Sequence, residues 1–239
     1  MADLDAAEFE RRLREHQSDD ELRKIQRYFK DGTSGVFLGV RMGTVFALAK
    51  EFIELPPAEL ERLLESDVHE LRAGALSVMD KQARRKRTPP DRRRELYELY
   101  LRRHDRIDNW DLVDLAAPHV VGGYLADQPR DVLYELARSP NRWERRTAIT
   151  ATAYFIRAGD VGDTFAIAEL LLDDPEDLVH KATGGWLRAA GDHDRDRLLA
   201  FLDRHAATMP RVMLRYAIEH LEPAQREHYR AAATSRPGR

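Results

Sequence analysis

The sequence predicts an all-α protein, a right-handed solenoid of helical hairpins. The first observation is a recurring slot. Arg72 opens RAGALSVM, Arg146 opens RTAITATA, Lys181 opens KATGGWLR and Arg215 opens RYAIEHLE, at separations of 74, 35 and 34 residues. Half of the first interval falls at Asn109-Trp110-Asp111, so this block fills the slot where the other repeats carry a basic residue. A period of about 34–40 residues belongs to HEAT-like helical hairpin repeats. The second observation is punctuation by turn formers: Pro56-Pro57, Pro89-Pro90, Pro129, Pro140, Gly159-Asp160, Asp173-Asp174-Pro175 and Gly191-Asp192. The third is that no stretch alternates with period two for long enough to make a strand.

The elements follow in order. Ala6 to Glu15 and Glu21 to Phe29 are expected to be helical, residues 31–35 (DGTSG) to be a loop, and Arg41 to Ile53 to resume a helix. Five hairpins come next: Ala58 to Leu64 with His69 to Ala83, Asp91 to Leu101 with Asn109 to Leu125, Asp131 to Ala137 with Arg142 to Ile156, Phe165 to Leu171 with Leu178 to Ala190, and Asp196 to Arg204 with Val212 to His220. Asp91 and Asn141, each following a proline, are expected as N-caps. Residues 1–232 are expected to form one repeat domain and 233–239 a disordered tail.

Composition narrows the function. The chain has 239 residues, 43% hydrophobic and 34% charged, as many amphipathic helices with solvated faces would give. It has no cysteine, which excludes disulfides, thiolate chemistry and zinc–thiolate sites. Nine histidines show no HExxH-like spacing, so no metal and no cofactor is expected. No apolar run approaches the roughly 18 residues of a membrane span, and Met1 to Glu21 is too charged for a signal peptide, so the expected location is the cytoplasm. Net charge is −3, and a small nucleic-acid binder is often strongly basic. Binding to DNA would therefore need basic residues gathered on one face.

The slots suggest such a gathering. In a curved solenoid the second helices line one surface, commonly the concave one. Arg41, Arg72, Trp110, Arg146, Lys181 and Arg215 would then form a row suited to a phosphate backbone. The competing reading is that these cations pair with acids of the following repeat, and spacing alone weighs the two about equally. The tracts at 84–87 (RRKR) and 92–94 (RRR) read equally well as solvated charge. Trp110 and Asp114 stand four residues apart and share a helix face. A Trp face attracts cations, and an ionised Asp stabilises developing positive charge or positions a water. Asp111, rotated by about 100°, reads as structural.

Five blocks carry a resemblance: VFLGVR (36–41), NWDLVD (109–114), RWERRTAI (142–149), HKATGGWLR (180–188) and LRYAIEHL (214–221). In this order they resemble the bacterial DNA alkylation-repair glycosylases with HEAT-like repeats, the AlkD-like group. The resemblance implies a monofunctional DNA glycosylase acting on cationic 3- or 7-alkylated purines in double-stranded DNA, bulky adducts among the candidates, and leaving an abasic site. It implies Asp114, Trp110 and Arg146 as the catalytic group, with Arg146 gripping a phosphate near the lesion. Trp143, Trp186, Arg41, Arg72, Lys181, Arg188 and Arg215 are implied as lesion- or DNA-binding. It also implies a monomer that joins the nucleoid when bound to DNA. One departure stands out. Gly185 occupies the position where the family carries its aromatic residue, and Trp186 follows one step later. Either Trp186 turns inward and the cleft opens, or the two glycines shift the helix locally. The alternative function is a non-catalytic HEAT-like module that binds nucleic acid or a protein.

Overall fold

The computed structural model describes residues 5–28 and 35–232. Residues 31–34 of the loop expected over 31–35, the end of the second helix at Phe29 and the tail 233–239 lie outside the described residues. The described residues fall into two compact units that meet in sequence at Tyr124 and Leu125.

The first unit holds α1 (Ala6–Arg14), α2 (Asp19–Tyr28), α3 (Met42–Glu51), α4 (Pro57–Leu64), α5 (His69–Arg84), α6 (Pro90–Arg102) and α7 (Trp110–Ala116). A short π-helical turn (Ala117–Gly122) and α8 (Gly123–Leu125) follow. The first helices of successive hairpins pack together, α4 on α6, and so do the second helices, α3 on α5 and α5 on α7. α5 is the centre of this unit. Nearly all its residues are buried, including the polar His69, Glu70 and Arg72.

The second unit holds α9 (Asp131–Leu136), α10 (Arg142–Ala151), α11 (Ala153–Ile156), α12 (Gly162–Leu170), α13 (Asp177–His193), α14 (Arg195–His205), α15 (Arg211–Ala217) and α16 (Pro223–Ala232). Its second helices likewise stack in series, α10 on α13 and α13 on α15. α13 and α15 come close at Gly184, where an added Cβ would stand 2.4 Å from the Met213 carbonyl oxygen. Only glycine lets α13 and α15 come that near.

The all-helical expectation holds: no strand forms among the described residues, whose one extended pairing is an isolated bridge between Val36 and Val68. Three local expectations need correction. Asp91 is not an N-cap. Pro90 takes the first helical position, where its missing N–H costs nothing, and the cap falls on Pro89. The helix expected from Asn109 to Leu125 is interrupted at Ala117–Gly122. Pro118 has no N–H for the carbonyl four residues back, that of Asp114, and the backbone widens by a π turn to compensate. α16 was not among the expected helices, and Tyr229 is its one buried residue.

Candidate active site on the Trp110 helix

α7 begins at the informative block. Asn109 is 1% exposed and takes the N-cap, its side-chain oxygen accepting from the Trp110 N–H at 2.8 Å. Leu112, Val113 and Ala116 turn into the core. Trp110 and Asp114 stay half-buried, four residues apart on the opposite side of those three. The expected pair is therefore present on one helix with an aromatic face and a carboxylate both reachable from solvent.

Asp111 behaves as its rotation predicts. Its Oδ2 meets His69 Nε2 of α5 at 2.7 Å, and Phe37 lies against the His69 ring at a centroid distance of 4.8 Å. The segment leading to α3 is itself tied to α5. The buried Glu70 carboxylate accepts from the N–H groups of Leu38, Gly39 and Val40 at 2.9–3.3 Å. Thus residues 37–40, the start of α5 and the start of α7 form one polar joint at the helix starts. Asp111 Oδ1 and Asn109 Nδ2 are buried in this joint without a hydrogen-bond partner among the described residues.

The cations of the first unit differ sharply in exposure. Arg72 is 2% exposed and its Nη1 donates to Asp108, the residue just before the N-cap of α7, at 3.0 Å. Arg41 is exposed, and its Nη2 donates to Glu21 at 2.8 Å. Lys24 and Arg41 together hold the Glu21 carboxyl below its ordinary range. The 84–87 and 92–94 tracts are partly structural. Arg85 pairs with Glu54, and Arg93 donates to the carbonyls of Ala83, Arg85 and Thr88 at the end of α5.

In the second unit Asn141 caps α10, accepting from the Trp143 N–H at 2.9 Å, as expected. Trp143 is only 8% exposed, with the Arg142 guanidinium 4.6 Å from its ring centroid. Arg146 is 7% exposed and its Nη1 donates to the Leu178 carbonyl at the start of α13. Arg145 forms a fork on the buried Asp174, at 2.5 and 3.2 Å. Arg188 pairs with Glu219. Lys181 is half-buried and Arg215 exposed, and neither has an ion-pair partner among the described residues.

Of the two options that sequence reasoning left at the paired glycines, neither is met in full: the helix is continuous, and Trp186 is half-buried and not part of the core. α13 runs unbroken from Asp177 to His193, so no local shift occurs. A Cβ at Gly185 would meet nothing within 4 Å, so that position is open. Trp186 is half-buried against α10, its Nε1 donating to Thr150 Oγ1 at 3.4 Å.

What sequence reasoning did not name are the acids that receive Arg72 and three arginines beside the slots, Arg145, Arg142 and Arg188: Asp108, Asp174, Glu176 and Glu219. Their signal is present, since each lies 29–36 residues after its arginine, close to one repeat. A search for acids one repeat downstream would find them.

Fold and site together describe a helical-hairpin protein with a solvent-facing Trp–Asp pair, in the class of helical-repeat proteins. The DNA alkylation repair enzyme model matches residues 9–221, most of the chain. The chain belongs to the DNA alkylation repair enzyme family, which supports a role in DNA repair. A solved structure described as a predicted DNA alkylation repair enzyme from Enterococcus faecalis is similar in fold, with a TM-score of 0.68, 16% identity, and coverage of 87% of this chain and 98% of that one. No curated protein matched the sequence. No described helix is long and apolar enough to cross a membrane.

Proposed function

We propose that the protein is a monofunctional DNA glycosylase that releases cationic 3- or 7-alkylated purines from duplex DNA. The observation that carries this reading is the Trp110–Asp114 pair, half-buried on one face of α7. Cleavage of an N-glycosidic bond builds positive charge on the sugar, as glycoside hydrolysis does. The Asp114 carboxylate stabilises that charge and holds the water that adds to the anomeric carbon. The base leaves neutral, carrying the bonding electrons, because alkylation has already made it cationic. No second carboxylic acid is then required. Trp110 offers its ring face to the cationic base or sugar. The block holds no lysine for a Schiff base, so the product is an abasic site in an uncut strand.

The remaining residues sort by exposure in this reading. Arg72, Arg146 and Arg188 hold successive repeats in register through Asp108, the Leu178 carbonyl and Glu219. Lys181 and Arg215 supply charge to the phosphate backbone. The protein acts as a monomer in the cytoplasm, on the nucleoid.

The test is single-turnover release of a cationic alkylpurine from duplex DNA at saturating enzyme. Wild type is expected to release the base, and Asp114→Asn to bind duplex with nearly unchanged affinity while releasing it far more slowly. Binding without release by wild type would replace this reading with that of a non-catalytic module.

A further inference from the structure

α7 is fastened to α5 at both ends by pairs of the same kind. At its start Asp111 Oδ2 meets His69 Nε2 at 2.7 Å. Just past its end His119 Nδ1, in the π-helical turn, meets Asp80 Oδ1 at 2.9 Å. The order is reversed: α5 supplies the histidine of the first pair and the carboxylate of the second. His69 and Asp80 stand 11 residues apart on α5, about three helical turns. Asp114 lies between the two fastenings. Asp80 is buried and the His119 side chain is 13% exposed. The other Asp80 oxygen is reached by Arg84 of the same helix at 3.4 Å.

The second pair stands where the helix is interrupted. Pro118 cannot donate to the Asp114 carbonyl, and the backbone widens over Ala117–Gly122. In an unbroken helix the ladder of hydrogen bonds fixes the rotation of each residue against the next turn. Here the ladder is altered one turn past the carboxylate, so the contacts of the turn itself decide that rotation. Ala117, Pro118, Val120, Val121 and Gly122 are buried. Their apolar burial has no preferred direction. His119 is the one polar side chain of the turn, and its bond to Asp80 fixes both a distance and an angle. One residue of slip along a helix rotates a side chain by about 100°.

We propose that Asp80 and His119 are positioning residues for Asp114: their pair sets the rotation of the last turn of α7 and so the direction of the Asp114 carboxylate. The inference rests on the glycosylase reading above. Single-turnover release of a cationic alkylpurine from duplex DNA, followed over a series of enzyme concentrations, gives a maximal rate and a half-saturating concentration. A misplacement of about 1 Å costs up to about two decades in rate, so His119→Ala and Asp80→Ala are each expected to lower the maximal rate by about one to two decades. The half-saturating concentration is expected to stay the same. His119→Ala leaves Arg84 on Asp80, so its effect belongs to the pair. The double Ala variant is expected to lose little more than either single variant, because one contact is lost in all three. The exchange variant Asp80→His/His119→Asp keeps the combined length of the two side chains and copies the order of the His69–Asp111 pair. It is expected to recover most of the rate. His205 Nε2 stands 3.2 Å from Glu169 between α14 and α12, a pair of the same kind away from α7, and His205→Gln is expected to change neither constant. Melting followed by circular dichroism checks that each variant is folded at the assay temperature. His119→Leu, which fills the space without a donor, carries the same expectation and takes the place of an Ala variant that melts below that temperature.

Unchanged maximal rates on loss of His119 or Asp80 overturn the proposal while base release by wild type leaves the glycosylase reading in place. A lowered rate that the folded exchange variant does not recover also overturns it, as does a raised half-saturating concentration at an unchanged maximal rate, which makes the turn a binding element. A wild type that binds duplex and releases no base removes the glycosylase reading and the positioning role together.

Discussion

Two helix starts in this molecule look alike and behave differently. α7 begins Asn109-Trp110 and α10 begins Asn141-Arg142-Trp143, each with an asparagine cap. Trp110 is the first residue after its cap and remains half-buried beside Asp114. Trp143 is the second residue after its cap and is 8% exposed. One step along a helix turns the side chain by about 100°. The same residue type is thus presented to solvent in one unit and spent on packing in the other. The charged residue that follows differs in the same sense: Asp114 stays accessible, while Arg146 is buried on a carbonyl. Register against the cap, more than residue type, decides which tryptophan is buried.

The comparison breaks most visibly at the buried tryptophan. Trp143→Ala is expected to cost about 3–5 kcal/mol of stability, as buried aromatic truncations do. Trp110→Ala should cost much less stability yet lower both base release and lesion discrimination. Urea unfolding of the two variants checks the contrast, and equal losses would mean that Trp110 is also a packing residue.

Next in size is Asp114→Asn, which keeps shape and removes charge. Loss of one such electrostatic interaction lowers single-turnover release by about two to three decades, roughly 3–4 kcal/mol. Equal rates for wild type and variant would make Asp114 structural.

Asp111→Asn sharpens the assignment within α7. Its partner His69 is buried, so weakening the pair is expected to cost about 1–3 kcal/mol of stability. Release should fall far less than in Asp114→Asn. A matching loss of rate would move the chemistry from Asp114 to the His69–Asp111 pair.

The smallest effect is at the caps. Asn141→Ala is expected to cost about 1 kcal/mol, with binding of duplex retained. Thermal unfolding monitored by circular dichroism reads it directly.

Much of this was legible in the chain. The slots at 72, 109, 146, 181 and 215 reflect a repeat, and a repeat places second helices one on another, as α5 on α7 and α10 on α13 show. The spacing of Trp110 and Asp114 needed only helical geometry. The interruption after Asp114 was harder to see, although Pro118 was in view, because whether a proline ends, kinks or widens a helix depends on what packs around it.

The sequence alone determined the helical class, the period, the Asn141 cap and the shared helix face of Trp110 and Asp114, since each follows from helical geometry and its repetition. Only the tertiary structure decided which cations are spent. Arg72 and Arg188 are neutralised by acids 36 and 31 residues away, whereas Arg211 and Arg215 meet none among the described residues. The charge of an arginine is written in its codon, but its availability is set by what the next hairpin brings within about 4 Å, where an ion pair forms.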